Sequence, residues 1–430
     1  MKKRFILLAG AVTITTLWGA PGTAELSTGQ GLSTSTAQAG FKLARAAESC
    51  GAAAATIVGT EGPDKLTGTP GPDVISSGNG DDTIDALDGN DVICGGPGAD
   101  TILAGAGDDT VYAGADAFWI DGRGDHKVGD LIDPGPGNDL IDPVADARNS
   151  RDETIPDRVT YATSSVPVTV NLSAAGASGT AVGDGTDTVA TAGPVGIIGS
   201  QFADTINGSP RDDYLEGGGG GDTINGLGGN DVLWAEGPVP GGDDNDTLSG
   251  GEGVDYLYSF KGQDSLSGGP EVDSIYARSP EPANVSAGGG NDALFVSVVR
   301  GGGAKIDGAS GVDILTLTTT FGDPGSRPGI RVNLASGVID SGVGGSAKVS
   351  GIEQVIVNDY VSVDFNGTNS GELVGVARGG ALDAKMNGGS DWAYGSFFND
   401  KLDGGKGKDT SWGMGGTDSC SAAEYPRLCE

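Results

Sequence analysis

Residues 59–112 read GTEGPDKLT, GTPGPDVIS, SGNGDDTID, ALDGNDVIC, GGPGADTIL and AGAGDDTVY, six nine-residue units laid end to end from Gly59 to Tyr112. Gly holds the fourth place of every unit (Gly62, Gly71, Gly80, Gly89, Gly98, Gly107) and Asp the sixth (Asp64, Asp73, Asp82, Asp91, Asp100, Asp109). An aliphatic residue holds the eighth (Leu66, Ile75, Ile84, Ile93, Ile102, Val111). A single nonapeptide has too little apolar surface to fold alone, so a period this strict marks one step of a stacked array. One apolar residue between outward-facing neighbours suits a three-residue strand with its middle side chain inward. The Gly-rich remainder then makes turns that need positive φ or close backbone approach.

Stacking the steps also stacks the Asp column, and stacked like charges repel. A cation between them resolves the conflict. Hard oxygen ligands, tight turns that expose carbonyls and repeated carboxylates suit calcium better than magnesium or a transition metal. Turn preference alone would let Asn, Ser and Asp mix freely in the column.

These residues resemble the RTX, or haemolysin-type calcium-binding, repeat, whose consensus GGxGxDxUx is matched almost letter for letter by GGPGADTIL. The resemblance implies an all-β parallel β-roll, a β-solenoid with two nonapeptides per coil and short strands on two faces. It also implies calcium held between turns of successive coils by Asp carboxylates and turn carbonyls. Ladder partners then lie two units apart, with Asp64, Asp82 and Asp100 on one edge and Asp73, Asp91 and Asp109 on the other.

A second array starts at Gly199, with Asp204, Asp213, Asp222 and Asp231 in register over Ile206, Leu215, Ile224 and Leu233. An insertion in AEGPVPGGDDND shifts the frame, after which Asp246, Asp255, Asp264 and Asp273 resume it. A third count runs through Asp391, Asp400, Asp409 and Asp418, where the inward places hold Ala393, Leu402, Ser411 and Cys420, a fading expected of a terminal cap. Pairing Asp residues two units apart within each run gives up to ten calcium sites. Between the arrays, Asp130 and Asp139 still keep nine-residue spacing, and Asp292 and Asp313 are isolated matches. The strand-like runs RVTYATSSVPVTVNLS, ILTLTTT, IRVNLASGVI and IEQVIV fall in spacers that the resemblance implies are divergent coils without metal ligands. The organisation expected is a signal peptide over 1–24, a flexible lead over 25–58, array 59–112, spacer 113–198, array 199–276, spacer 277–390, and a disulfide-closed array over 391–430.

The 430 residues carry a formal charge of -34, which argues against nucleic acid or an anionic membrane as direct partners. Asp outnumbers Glu by 46 to 13, as a carboxylate confined to tight turns requires. Lys2, Lys3 and Arg4 ahead of an apolar stretch from Phe5 to Trp18, then small residues to Ala24, read as a secretory signal that leaves no membrane span in the mature chain. A short helix over Phe41 to Glu48 would close the lead. Four cysteines fit an oxidising compartment, and the favoured pairs are Cys50 with Cys94, whose outward place lets the lead lie across the roll, and Cys420 with Cys429.

Signals for catalysis are sparse. The single His, His126, lies in RGDHKVGD, so HExxH and two-His metal sites are excluded, and no GxSxG elbow occurs. Arg123 to Asp125 spells RGD, a tripeptide that chance accounts for in so Gly- and Asp-rich a chain. No catalytic or cofactor-binding residue is expected. The function expected is a secreted, extracellular, non-enzymatic calcium-binding module for cell-surface or matrix adhesion, with glycans or cell-surface proteins as partners. The alternative is a calcium-dependent enzyme acting on extracellular polysaccharide, for which Trp234, Tyr256 and Tyr258 would form an outward patch.

Overall fold

The computed structural model describes residues 49–114, 129–143, 156–172, 178–191, 193–237, 244–298, 303–319, 329–340, 345–358, 360–377 and 380–427. The expected signal peptide, the helix over 41–48, His126 with the RGD tripeptide, the insertion over 238–243 and Cys429 lie outside them. Among the described residues there is no helix, and hence none long and apolar enough to cross a membrane.

Each nonapeptide of the first array folds as foreseen, into a three-residue strand such as Val92–Cys94 or Thr101–Leu103, and the central residue is buried in all but the first, where Leu66 is half-buried. Alternate units join alternate sheets. In the first sheet Ile84 lies level with Leu66 and Ile102, and Ile102 with Ile132; in the second, Ile75, Ile93, Val111 and Ile141 are aligned in the same way. These Ile and Val side chains from position 75 onward are 0% exposed. Each such burial contributes about 1.5–3 kcal/mol, which is how steps too short to fold alone hold together when stacked.

Both sheets run unbroken through the spacers. The first extends by parallel pairing from Lys65–Thr67 to Tyr425–Arg427, the second from Ile57–Val58 to Ser419–Ser421 with antiparallel links at two places, and among the described residues neither pairs its last strand back to its first. The spacers are therefore continuing coils of one solenoid.

Two of those coils depart from the expected path. In the second sheet, Thr169–Asn171, Ser178–Val182 and Thr186–Ala190 form an antiparallel meander, with Thr186–Ala190 parallel to Leu140–Asp142 and Thr169–Asn171 parallel to Thr205–Asn207. Ile330–Asn333, Val338–Asp340 and Ser346–Ser350 repeat this arrangement. In each place the second sheet gains three strands where the first gains one. The alternating burial of Ser178–Val182 and Ser346–Ser350 suits either strand direction, so the sequence pattern did not reveal the reversal.

The entry end is a small antiparallel pair, Ser49–Cys50 with Ala53–Ala54, fixed by the foreseen Cys50–Cys94 disulfide. Tyr112 packs over Gly51, where a Cβ would lie 3.4 Å from the ring. Cys420 is likewise disulfide-bonded.

Candidate metal centres

The sixth residue of each unit stands immediately before a strand, so stacking the strands lines the Asp residues along two edges of the solenoid. Successive members are tied in one direction. Asp82 Oδ1 accepts the backbone N–H of Asp64 at 2.8 Å, Asp91 that of Asp73 at 2.7 Å, Asp100 that of Asp82 at 2.8 Å and Asp109 that of Asp91 at 2.8 Å. Asp222, Asp231, Asp264, Asp273, Asp409 and Asp418 accept in the same way from Asp204, Asp213, Asp246, Asp255, Asp391 and Asp400. The insertion is absorbed without a break, because Asp246 and Asp255 accept from Asp222 and Asp231. All eighteen positions singled out from the sequence thus sit in the two columns, with ladder partners two units apart.

The columns also hold residues that the sequence did not single out as ligands. Along the first sheet Asp130, Asp157, Asp292, Asp313, Glu353 and Glu372 occupy the same place, and along the second Asp139 and Asp187. Asp157 lacks the Gly-rich lead of the consensus, and Asp187, Glu353 and Glu372 keep only part of it. Their remaining signal is an acidic residue two places before a buried aliphatic: Val159, Val189, Val355 and Val374.

In most rungs one carboxylate oxygen is used by the ladder, Asp213 with its buried, donor-free Oδ1 being an exception, and the fate of Oδ2 divides the turns. In Asp82, Asp91, Asp109, Asp222, Asp231, Asp255, Asp273, Asp292, Asp313, Asp391 and Asp409 the Oδ2 atom is buried and has no hydrogen-bond donor. In their turns the second residue is left-handed: Gly78 (φ 110°), Gly105 (φ 99°) and Gly405 (φ 83°), but also Leu87 (φ 74°), Leu227 (φ 77°) and Ala309 (φ 64°). A leucine held at positive φ costs roughly 1–2 kcal/mol, so the coil around it fixes this geometry. In a second kind of turn the carboxylate closes on its own loop. The N–H groups of Thr60, Thr69, Ser200, Ser209 and Ser396 donate to Oδ2 of Asp64, Asp73, Asp204, Asp213 and Asp400, four residues on. None of these five hydroxyl residues has positive φ.

Backbone carbonyls complete the surroundings. A Cβ on Gly107 would lie 1.5 Å from Gly89 O of the preceding coil, so glycine there lets a carbonyl stand in the gap between turns. A Cβ on Gly217 would lie 2.3 Å from Asp222 Oδ2, which explains glycine at the head of that unit.

A buried anion without a donor is costly, and the carboxyls respond by favouring their neutral form. Burial, opposed by the ladder hydrogen bond and reinforced by neighbouring carboxylates, pushes Asp222 and Asp231 up to about 8 and Asp273 to about 7. Burial likewise raises Asp109 to about 6 and lifts Asp91 and Asp391. Buried oxygens facing carbonyl-lined gaps, with only hard oxygen donors at hand, fit calcium. The residues that would hold it are the donor-free Asp oxygens and the carbonyls of the Gly-rich turns, and the ion would supply the positive charge that the columns lack. At the insertion, Glu236 joins Asp246 and Asp264, with carboxylate oxygens all within 4.8 Å of one another.

The aromatic patch takes a form that the sequence did not suggest. Trp234, Tyr258, Tyr276 and Phe295 are consecutive rungs of the first sheet, stacked at 4.2, 4.7 and 4.4 Å between ring centroids. Their faces lie against one another, and Tyr256 is not part of the stack. Such ladders stabilise a parallel sheet.

The family model described as RTX calcium-binding nonapeptide repeat (4 copies) matches residues 58–93, 88–117, 95–125, 198–233, 240–275 and 387–420. No curated protein matches the chain. Where the matched stretches are described, Asp columns and left-handed turns coincide with short strands, three residues long in the first array and three to six in the second, and these stretches are RTX calcium-binding nonapeptide repeats.

Proposed function

We propose that the chain is a secreted, non-catalytic protein whose solenoid is completed by extracellular calcium and which serves as a structural or adhesion module at a cell surface or in a matrix. The observation that carries this reading is the series of buried Asp oxygens with no donor, from Asp82 to Asp409. Without cations the -34 chain is self-repelling and Gly-rich, and calcium couples to its folding. Extracellular sites with dissociation constants of ~0.1–1 mM in millimolar calcium stabilise by roughly 0.4–1.4 kcal/mol each. Several together rival the whole stability of an ordinary domain.

Secretion rests on the sequence from Met1 to Ala24, and partners such as glycans or cell-surface proteins would meet an acidic surface through calcium. The non-catalytic reading is supported by the aromatic rungs, since rings stacked on each other offer few free faces to a sugar. The test is far-ultraviolet circular dichroism of the mature chain during a calcium titration, with magnesium as control. A cooperative gain of strand in calcium alone is expected; an unchanged, folded spectrum in strong chelator would sink the calcium-gated fold. Calcium-dependent retention on cell-wall preparations tests the adhesion role.

A further inference from the structure

We infer that the turns are of two kinds, ion-taking and self-closing, and that the self-closing ones ahead of an Asp are metal-free end rungs from which acidic runs begin, whereas Thr368 closes on Glu372 inside a run. The inference rests on the calcium reading above and divides its sites. In an ion-taking turn the second residue is left-handed and the following Asp keeps a buried oxygen without a donor, as at Gly405 (φ 83°) and Asp409. In a self-closing turn a Ser or Thr takes the second place. At Ser396 the N–H donates to Asp400 Oδ2 at 2.6 Å, the hydroxyl donates to Oδ1 at 3.3 Å, and the same hydroxyl accepts the N–H of Phe398 at 3.0 Å. The carboxylate's second oxygen is already satisfied.

Position explains why the two kinds exist. Each carboxylate reaches back toward the preceding rung, so an ion in that gap draws on the rung behind as well. Behind Asp400 that rung presents Leu382, whose N–H goes to Asp400 Oδ1 at 2.6 Å; behind Asp204 it presents Val168, bonded in the same way at 2.6 Å. With an apolar residue behind, the carboxylate has no acidic partner across the gap, and its own turn supplies the donors instead. Asp73 likewise opens its column ahead of Asp91, and Thr69 gives it both the N–H (2.7 Å) and the hydroxyl (2.9 Å). Within the two columns, the pattern G-[ST]-x-x-x-D thus marks an end rung, and counting every repeat Asp as a ligand overstates the calcium load.

The test is calcium counting by native mass spectrometry on the full mature chain at saturating calcium, paired with thermal melting of the same samples. Asp409→Asn is expected to lose about one calcium per chain. Asp400→Asn, which removes only the rung behind Asp418, is expected to lose at most one calcium, and Ser396→Ala to keep the wild-type count; both should melt lower. Loss of two ions from Asp400→Asn, loss of one from Ser396→Ala, or an unchanged count in Asp409→Asn would overturn the inference. A wild type that binds no calcium would overturn the calcium reading and the ion-taking class with it; the self-closing class would then be decided by Ser396→Ala, a lowered melting temperature upholding it and an unchanged one removing it.

Discussion

The two edges of the solenoid are made by the same backbone and locked in different ways. Along the first sheet, the place before each strand is acidic from Asp64 through Asp273, Asp292 and Asp313 to Glu372 and Asp409, with Val195 as the interruption. Along the second sheet the carboxylates stop after Asp264. Ala283, Ala304, Ala347, Ile330, Val363 and Leu382 take their place until Asp400 restores the column. Of these, Ile330, Val363 and Leu382 are no more than 2% exposed. One position can therefore hold neighbouring coils together either as an anion awaiting a cation or as a hydrophobe that needs none.

Chelation is the largest perturbation that tests this contrast. Hydrogen exchange read by mass spectrometry is expected to show protection lost first in 59–112 and 199–276, where both edges are acidic, and retained longest in 283–382. The difference should be on the order of several kcal/mol, the sum of several sites. Uniform loss along the chain would break the comparison.

Core truncation sharpens it next. Phe365 is 1% exposed under the apolar edge, and Phe365→Ala should cost about 3–5 kcal/mol whatever the calcium concentration. Ile93→Ala, between acidic edges, should cost about 2–5 kcal/mol, and raising calcium should recover part of it. Denaturant melts at two calcium concentrations distinguish the pair; equal responses would erase the contrast.

The Cys50–Cys94 bridge ties the entry hairpin across the doubly acidic coils, 44 residues apart in sequence. Cys94→Ser should lower stability by about 2–4 kcal/mol, and the loss should be more damaging at low calcium, where the ions no longer help the aliphatic core hold those coils. Melting of the variant with and without chelator checks this.

The smallest effect concerns pH. Burial pushes Glu216 up to about 7, with Arg158 and a hydrogen bond from Tyr214 opposing the shift. Its folded value exceeds the ordinary one, so its contribution to stability is complete below about 4.5 and is lost as pH rises to about 7. Glu216→Gln should remove that slope, gaining about 1–3 kcal/mol on the wild type between pH 5 and 7.5. A parallel pH dependence in both proteins would show that Glu216 does not titrate there.

Legibility followed the chemistry of the two edges. Where both are acidic, the nine-residue period gave strands, inward residues and column members directly. Past Tyr276 the matches at Asp292 and Asp313 looked isolated because only one edge retains its carboxylate, so the visible repeat is a whole coil. Coil length also drifts there, from 18 residues to 19 and then 21. Substitutes such as Ile330 and Val363 merge with the inward Val332 and Phe365 into alternating runs, which read as ordinary strands. The self-closing turns escaped notice because Ser and Thr at the second place look like tolerated variation until their N–H groups are seen on the carboxylate.

The one-way ladder bonds have a kinetic meaning. Asp82 latches Asp64, Asp100 latches Asp82, and the last acceptor of each run is always the later residue in the chain. A polypeptide emerging amino end first cannot secure any coil until the next has arrived, so its growing tip always trails one unlatched turn. Shortening the chain from the carboxyl end should therefore expose the backbone amide of one coil earlier than the cut.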